Sequence, residues 1–145
     1  MADAFPETIA LVPELEVSNF TASLDFYVRL VGFEVVYDRP ERPFAYLGMG
    51  SAHLMIEQGG SWLTGQLEKP LGRGINFQIQ VHDAEALRDR LTARGWPLFR
   101  EPADAWYRRG IEYVGYRELL VQDPDGYLLR FSQSLGTRAE PPSGP

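Results

Sequence analysis

The chain has 145 residues, 44% of them hydrophobic and 23% charged, with 20 acidic against 14 basic side chains. That length allows one ordinary domain with its own core, and the composition argues against global disorder. The net charge of −6 disfavours phosphate-backbone binding, and the absence of cysteine excludes disulfides, thiolate nucleophiles and cysteine metal clusters.

A cysteine-free chain suits a reducing cytoplasm. The opening MADAFPETIA has neither a basic n-region nor an apolar h-region, so it does not read as a signal peptide. Residues 1–8 are read as an N-terminal extension. No apolar run approaches the ~20 residues that span a bilayer, so no membrane partner is expected.

Residues 9–17 read as a strand. Ser18 or Asn19 can cap the helix FTASLDFYVRLV, where Phe20, Leu24, Tyr27 and Val31 recur at helical spacing. Gly32 ends it. GFEVVYDR, FAYLGMG and AHLMIEQ follow as strands. After GGSWLTGQLEKPLGRG, the segment INFQIQV alternates strictly, as a half-buried strand does. Asp83 caps AEALRDRLTAR, with Ala84, Leu87 and Leu91 on one stripe and Gly95 at its end. WPLFREP reads as a short strand interrupted by proline. RELLVQD and YLLRFSQ close the chain around the turn Asp123-Pro124-Asp125-Gly126, in which proline presets one dihedral and glycine accepts a positive one. SLGTRAEPPSGP reads as a frayed tail.

Each half is therefore strand–helix–strand–strand–strand. The order of elements predicts one α+β domain over residues 9–133, built of two βαβββ modules. Module one spans 9–58, a linker spans 59–73, module two spans 74–133, and a flexible tail spans 134–145. A module of about 60 residues alone would bury too little.

Strand alternation sorts the side chains. Leu11, Leu15, Val17, Leu54, Ile56, Ile75, Phe77, Ile79, Val81, Tyr127, Leu129 and Phe131 are expected on the helix side. Glu14, Glu16, His53, Met55, Glu57, Asn76, Gln78, Gln80 and Arg130 are expected on the other. That second face is too polar for a sealed core, so it is either solvated or lines a groove.

NFTASLDFYVRLVGFEVVYD, the strand ending in Glu57, and RELLVQDPDGYLLRFSQ resemble the glyoxalase/bleomycin-resistance/dioxygenase (vicinal oxygen chelate) superfamily. The resemblance implies two curled mixed sheets around a cleft, helices on the convex side, and a homodimer. Metalloenzymes of that family use four inward ligands. Carried over by the shared motifs, those positions fall on Val12, Glu57, Asn76 and Arg130. Valine has no donor atom and arginine is always protonated, so only Glu57 is a good ligand. No metal and no cofactor are expected, and Arg130 is expected to contact Glu57 or an anionic ligand group. His53 shares the strand of Glu57, which leaves a two-ligand His53/Glu57 site as a minor alternative.

Lacking the ligand set, the chain is most similar to the bleomycin-resistance branch, which sequesters a basic, partly planar antibiotic without breaking a bond. The resemblance implies a metal-free binding protein for a small, bleomycin-like molecule, with no catalytic residue. The two long connections, GGSWLTGQLEKPLGRG and REPADAWYRRGIEYVGYRE, carry Trp62, Trp106 and Tyr116, whose rings suit a planar group. The expected ligand contacts are thus Glu57, Asn76, Arg130, Trp62, Trp106, Tyr116, His53 and Gln78. Arg73, Arg108 and Arg109 argue against a strongly cationic ligand. The alternatives are a divergent metal-dependent lyase, isomerase or dioxygenase, and a metal-free acid–base enzyme using Glu57.

Overall fold

The structure, a computed structural model, describes residues 9–142. The expected extension 1–8, most of the opening MADAFPETIA, and the last three residues of the expected tail lie outside the described residues.

The first unit comprises residues up to Leu71 together with Asp123–Gly126. Its elements are β1 (Glu14–Glu16), α1 (Phe20–Leu24), a π-helical continuation (Asp25–Val31), β2 (Glu34–Asp38), β3 (Phe44–Met49) and β4 (Ala52–Glu57). They form a four-stranded sheet in the order β1-β4-β3-β2. β1 runs parallel to β4 and the other pairs are antiparallel.

The second unit comprises Gly72–Gln122 and the residues from Tyr127 onward. It contains β5 (Asn76–Gln80), α2 (Ala84–Ala93), β6 (Arg100–Arg109), β7 (Glu112–Gln122) and β8 (Leu128–Arg138). Its sheet order, β5-β8-β7-β6, repeats the first, again with the first strand parallel to the last. The βαβββ duplication read from the order of elements is present.

Helix starts follow their caps. Asn19 accepts the Ala22 N–H at 3.1 Å, and Asp83 accepts the Ala86 N–H at 3.0 Å. The first helix changes winding after Leu24. Gly32 N–H reaches Tyr27 C=O, five residues back, which is π-helical bonding. The buried stripe is Ser23, Phe26, Tyr27, Leu30 and Val31, while the expected Phe20 and Leu24 are only half-buried; it starts at Ser23, before the winding changes.

Four other expectations change. Leu11 is 82% exposed, because β1 is short. Pro13 has no N–H to continue the ladder, and only its carbonyl pairs, accepting from Met55 at 2.8 Å. Ile75 is 55% exposed, since it sits in a turn closed on Gly72 before β5 begins. Residues 100–118, expected as a long connection, are instead the β6–β7 hairpin. Cross-strand pairs hold it, including Arg117 Nε to Asp104 at 2.8 Å, and the register shifts between Arg100 and Ala103, around Pro102. The segment 134–138, expected in the tail, extends β8, pairing Ser134 with Tyr116 and Arg138 with Tyr113.

Most of the remaining helix-side assignments agree with burial, whereas Phe77, Val81 and Tyr127 are half-buried and Glu57, expected on the polar face, is buried. Leu15, Val17, Leu54 and Ile56 are buried in the first unit, as are Ile79, Leu129 and Phe131 in the second. The turn Asp123–Gly126 is clamped to the first unit by two buried aspartates. Tyr27 Oη donates to Asp123 at 2.7 Å, and Ser18 donates to Asp125 through N and Oγ at 3.0 and 2.5 Å. Gly126 has φ of +100°, and a Cβ there would lie 2.5 Å from Pro70 Cβ. Only glycine fits both the dihedral and the space.

Among the described residues no helix is long and apolar enough to cross a membrane.

Candidate functional site

On the first sheet, Glu14 and Glu16 project from β1 on the side away from the helix, opposite Met55 and Glu57 of β4. Glu57 is 3% exposed. A buried carboxylate needs a counter-charge, and Arg42 supplies it at 2.5 Å. The same Arg42 nitrogen donates to Ser61 Oγ at 2.7 Å. Glu16 accepts two successive backbone N–H groups, Gly59 at 3.0 Å and Gly60 at 2.8 Å.

Glu14 differs from both. It makes no hydrogen bond or ion pair among the described residues. Burial raises its pKa first and the neighbouring Glu57 charge adds to that, while Arg39 and Arg42 pull it back. These three carboxylates, with Trp62 and Leu63, line a cavity of about 200 Å³. Trp62 is 78% exposed, so its ring stands at the mouth with most of its surface open.

Beyond the cavity, that face also carries aromatic rings. Tyr37 and Tyr46 stack with centroids 5.1 Å apart, and Arg39 lies 4.0 Å over the Phe44 ring. His53 is held by Tyr46 Oη at 2.7 Å from Nδ1, so it is occupied within the sheet.

On the second sheet, the organising group is Glu118. It is buried and accepts from Tyr107 Oη at 2.5 Å, Arg130 Nη1 at 3.1 Å and Ser132 Oγ at 3.2 Å. Arg130 also donates through Nε to Asn76 at 3.1 Å. Gln78 lies directly opposite Arg130 in the register and is exposed. The hydrogen bond to Glu118, burial and the Glu118 charge raise the Tyr107 pKa, with Arg130 opposing them.

Trp106 rests across Gly115, where a Cβ would come within 2.6 Å of the ring. Arg138 sits 4.7 Å over the same ring. Tyr116 neighbours Tyr107, with centroids 6.3 Å apart.

The expected ligand contacts thus fall into two groups. Glu57 and Trp62 share the first-unit cavity, and His53 stays with Tyr46. Asn76, Gln78 and Arg130 meet on the second sheet, while Trp106 and Tyr116 stand on its hairpin. Of the two partners expected for Arg130, Glu57 is corrected: Glu118 holds Arg130, and Arg42 holds Glu57. Both partners escaped sequence reasoning. Strand parity could have found Glu118, since it alternates with the core residue Leu119. Nothing local in PERPF announces that Arg42 folds back on β4.

The model of the Glyoxalase/Bleomycin resistance protein/Dioxygenase superfamily matches residues 10–131. The chain belongs to that superfamily. It is 29% identical over 125 residues to a lactoylglutathione lyase of Neisseria meningitidis serogroup A, covering 82% of this chain and 86% of the relative. Among solved structures it is similar to TioX from Micromonospora sp. ML1, with 25% identity and a TM-score of 0.66 over 86% of this chain and 98% of that one. It also shares its fold with TnmS3, an antibiotic binding protein from Streptomyces sp. CB03234, at 20% identity and a TM-score of 0.62, over 85% and 93% of the two chains.

Metalloenzymes of the superfamily imply a divalent ion, and the residues at the carried-over positions do not fit one. Val12 offers no donor. Arg130 is a permanent cation turned to Glu118, Asn76 already accepts from Arg130, and Glu57 is neutralised by Arg42. Among the described residues no group of three or more His, Cys, Asp or Glu side chains is arranged to hold a metal.

Proposed function

We propose that this superfamily member is a metal-free small-molecule binding protein of the bleomycin-resistance type, which sequesters a partly planar antibiotic or related ligand. The observation that carries this reading is the first-unit cavity. There Glu14, a carboxylate with no hydrogen bond or ion pair among the described residues, stands beside two satisfied ones and an open tryptophan ring.

Desolvation makes the charged form of Glu14 costly, and a ligand cation offsets that cost by replacing the lost water. Trp62 supplies the flat surface on which a ring stacks. Charge gives specificity and stacking gives area, and nothing in the pair breaks a bond. Asn76, Gln78 and Arg130 are proposed as polar ligand contacts of the second unit, with Tyr116 and Trp106 on its hairpin. The same reading makes the protein a cytoplasmic homodimer, which light scattering of the purified protein tests.

A second reading is a metal-dependent lyase, favoured by the 29% identity to a lactoylglutathione lyase and opposed by the donor set. A metal-free acid–base enzyme is the third. Glu57 is held by Arg42, and Glu14 is the better placed carboxylate.

Titration with metal-free bleomycin, followed by calorimetry and tryptophan fluorescence, tests the first reading. Saturable binding is expected, weakened at least tenfold by both Glu14→Gln and Trp62→Ala. Binding that survives both substitutions, or stoichiometric metal with lactoylglutathione lyase activity, would overturn it.

A further inference from the structure

The segment after β4 is pinned residue by residue as far as Ser61. Gln58 Oε1 accepts the Phe20 N–H at 2.8 Å. Gly59 and Gly60 donate their N–H groups to the Glu16 carboxylate at 3.0 and 2.8 Å. Ser61 Oγ accepts from Arg42 Nη2 at 2.7 Å, and the same nitrogen holds Glu57. Gly60 turns the chain with φ of +71°, a region that L side chains rarely adopt. From Trp62 to Glu68 no residue makes a hydrogen bond or ion pair among the described residues, and all seven are exposed. Trp62 nevertheless lines the cavity. Its place there is set by what precedes it.

We infer that Glu16 and Arg42 are positioning residues that latch the Gly59–Ser61 turn and so hold Trp62 as the wall of the cavity. This deepens the binding reading above and assigns work to two residues that need not touch a ligand. Glu16 acts as an acceptor for consecutive amides, a role its negative charge strengthens. Arg42 acts as a bridge, a single guanidinium nitrogen donating to both Glu57 and Ser61. The two latches attach to different atoms of one short turn. Loss of either therefore loosens Trp62, while loss of both adds little more.

The test uses the full chain labelled with 5-fluorotryptophan and read by fluorine NMR. The Trp62 resonance is assigned by Trp62→Phe. Trp96 is the internal control for folding, because its Nε1 donates to the Gln122 carbonyl at 2.9 Å. In Glu16→Ala and in Arg42→Ala the Trp62 resonance should narrow and move to the free-chain position. Trp96 should stay in place. Exchange of the Gly59 and Gly60 amide protons should rise at least tenfold in Glu16→Ala. Glu16→Gln keeps an acceptor oxygen and should restore most of the wild-type line.

A Trp62 resonance unmoved in both alanine variants would overturn the latch, whatever binds. If Trp62 is released as expected but metal-free bleomycin fails to bind wild-type protein, the latch stands and the ligand reading falls. If bleomycin binds, Trp62→Ala should weaken it far less in the Glu16→Ala background than in wild type. Equal losses in the two backgrounds would also count against the latch.

Discussion

Removing Arg130 should be the most informative single perturbation. Glu118 keeps only 8% of its side-chain surface exposed, whereas Arg130 keeps 28%. Arg130→Met retains length and apolar stem but strips the counter-charge from a buried carboxylate. Breaking such a pair typically costs about 3–5 kcal/mol when the remaining charge is left uncompensated. Here Tyr107 and Ser132 still donate to Glu118, so about 2–3 kcal/mol is expected. With a urea m-value of about 1–3 kcal/mol/M, the unfolding midpoint should fall by roughly 1 M or more. The double variant Glu118→Gln/Arg130→Met leaves no charge behind and keeps an acceptor for Tyr107 and Ser132. It should recover most of the loss. Urea unfolding followed by circular dichroism measures all of these. A cost under about 0.5 kcal/mol for Arg130→Met, or a double variant no better than the sum of the singles, would refute the argued coupling.

Glu14→Gln should make the protein more stable at neutral pH while weakening a cationic ligand. The folded-state pKa is raised; protonation therefore stabilises below the ordinary carboxyl range, and that contribution is lost as pH rises through the raised value. Denaturation of wild type and variant from pH 4 to 8 checks the sign. Tyr107→Phe should delete one tyrosine titration that lies above the ordinary range, seen by ultraviolet absorbance. The raised pKa of that phenol, above the ordinary 10.0, means its bond to Glu118 stabilises fully below pH 10 and is lost on further alkalinisation. Tyr27→Phe removes the Oη donor from buried Asp123 and should cost about 1–3 kcal/mol by the same unfolding assay. Gly115→Ala should displace the Trp106 ring, at about 1–3 kcal/mol, and diminish its near-ultraviolet circular dichroism.

Much of the architecture was written into periodicity and punctuation. The caps at Asn19 and Asp83, the stop at Gly32, the strict alternation of INFQIQV and the turn DPDG are local signals, and each acts through atoms a few residues away. The repeated order of elements, and the membership that rests on SLDFYVRLVGF and DPDGYLLRF, were legible for the same reason. The direction of Arg130, away from the buried Leu129 and Phe131, followed from the two-residue period of a strand.

What no local pattern could decide was partnership at a distance. Arg42 reaches Glu57, Arg130 chooses Glu118, and Glu16 captures two amides some forty residues on. Each choice depends on strand register and on a turn's path, which set distances to a fraction of an ångström. Strand pairing also overrode the weak local signal of residues 100–118, since cross-strand contacts, absent from any window of sequence, stabilise the hairpin. The polar face was thus foreseeable as a surface. Its division into satisfied ion pairs and, beside Trp62, a carboxylate with no hydrogen bond or ion pair among the described residues arose only when the chain closed on itself, because charge compensation is a property of neighbours in space.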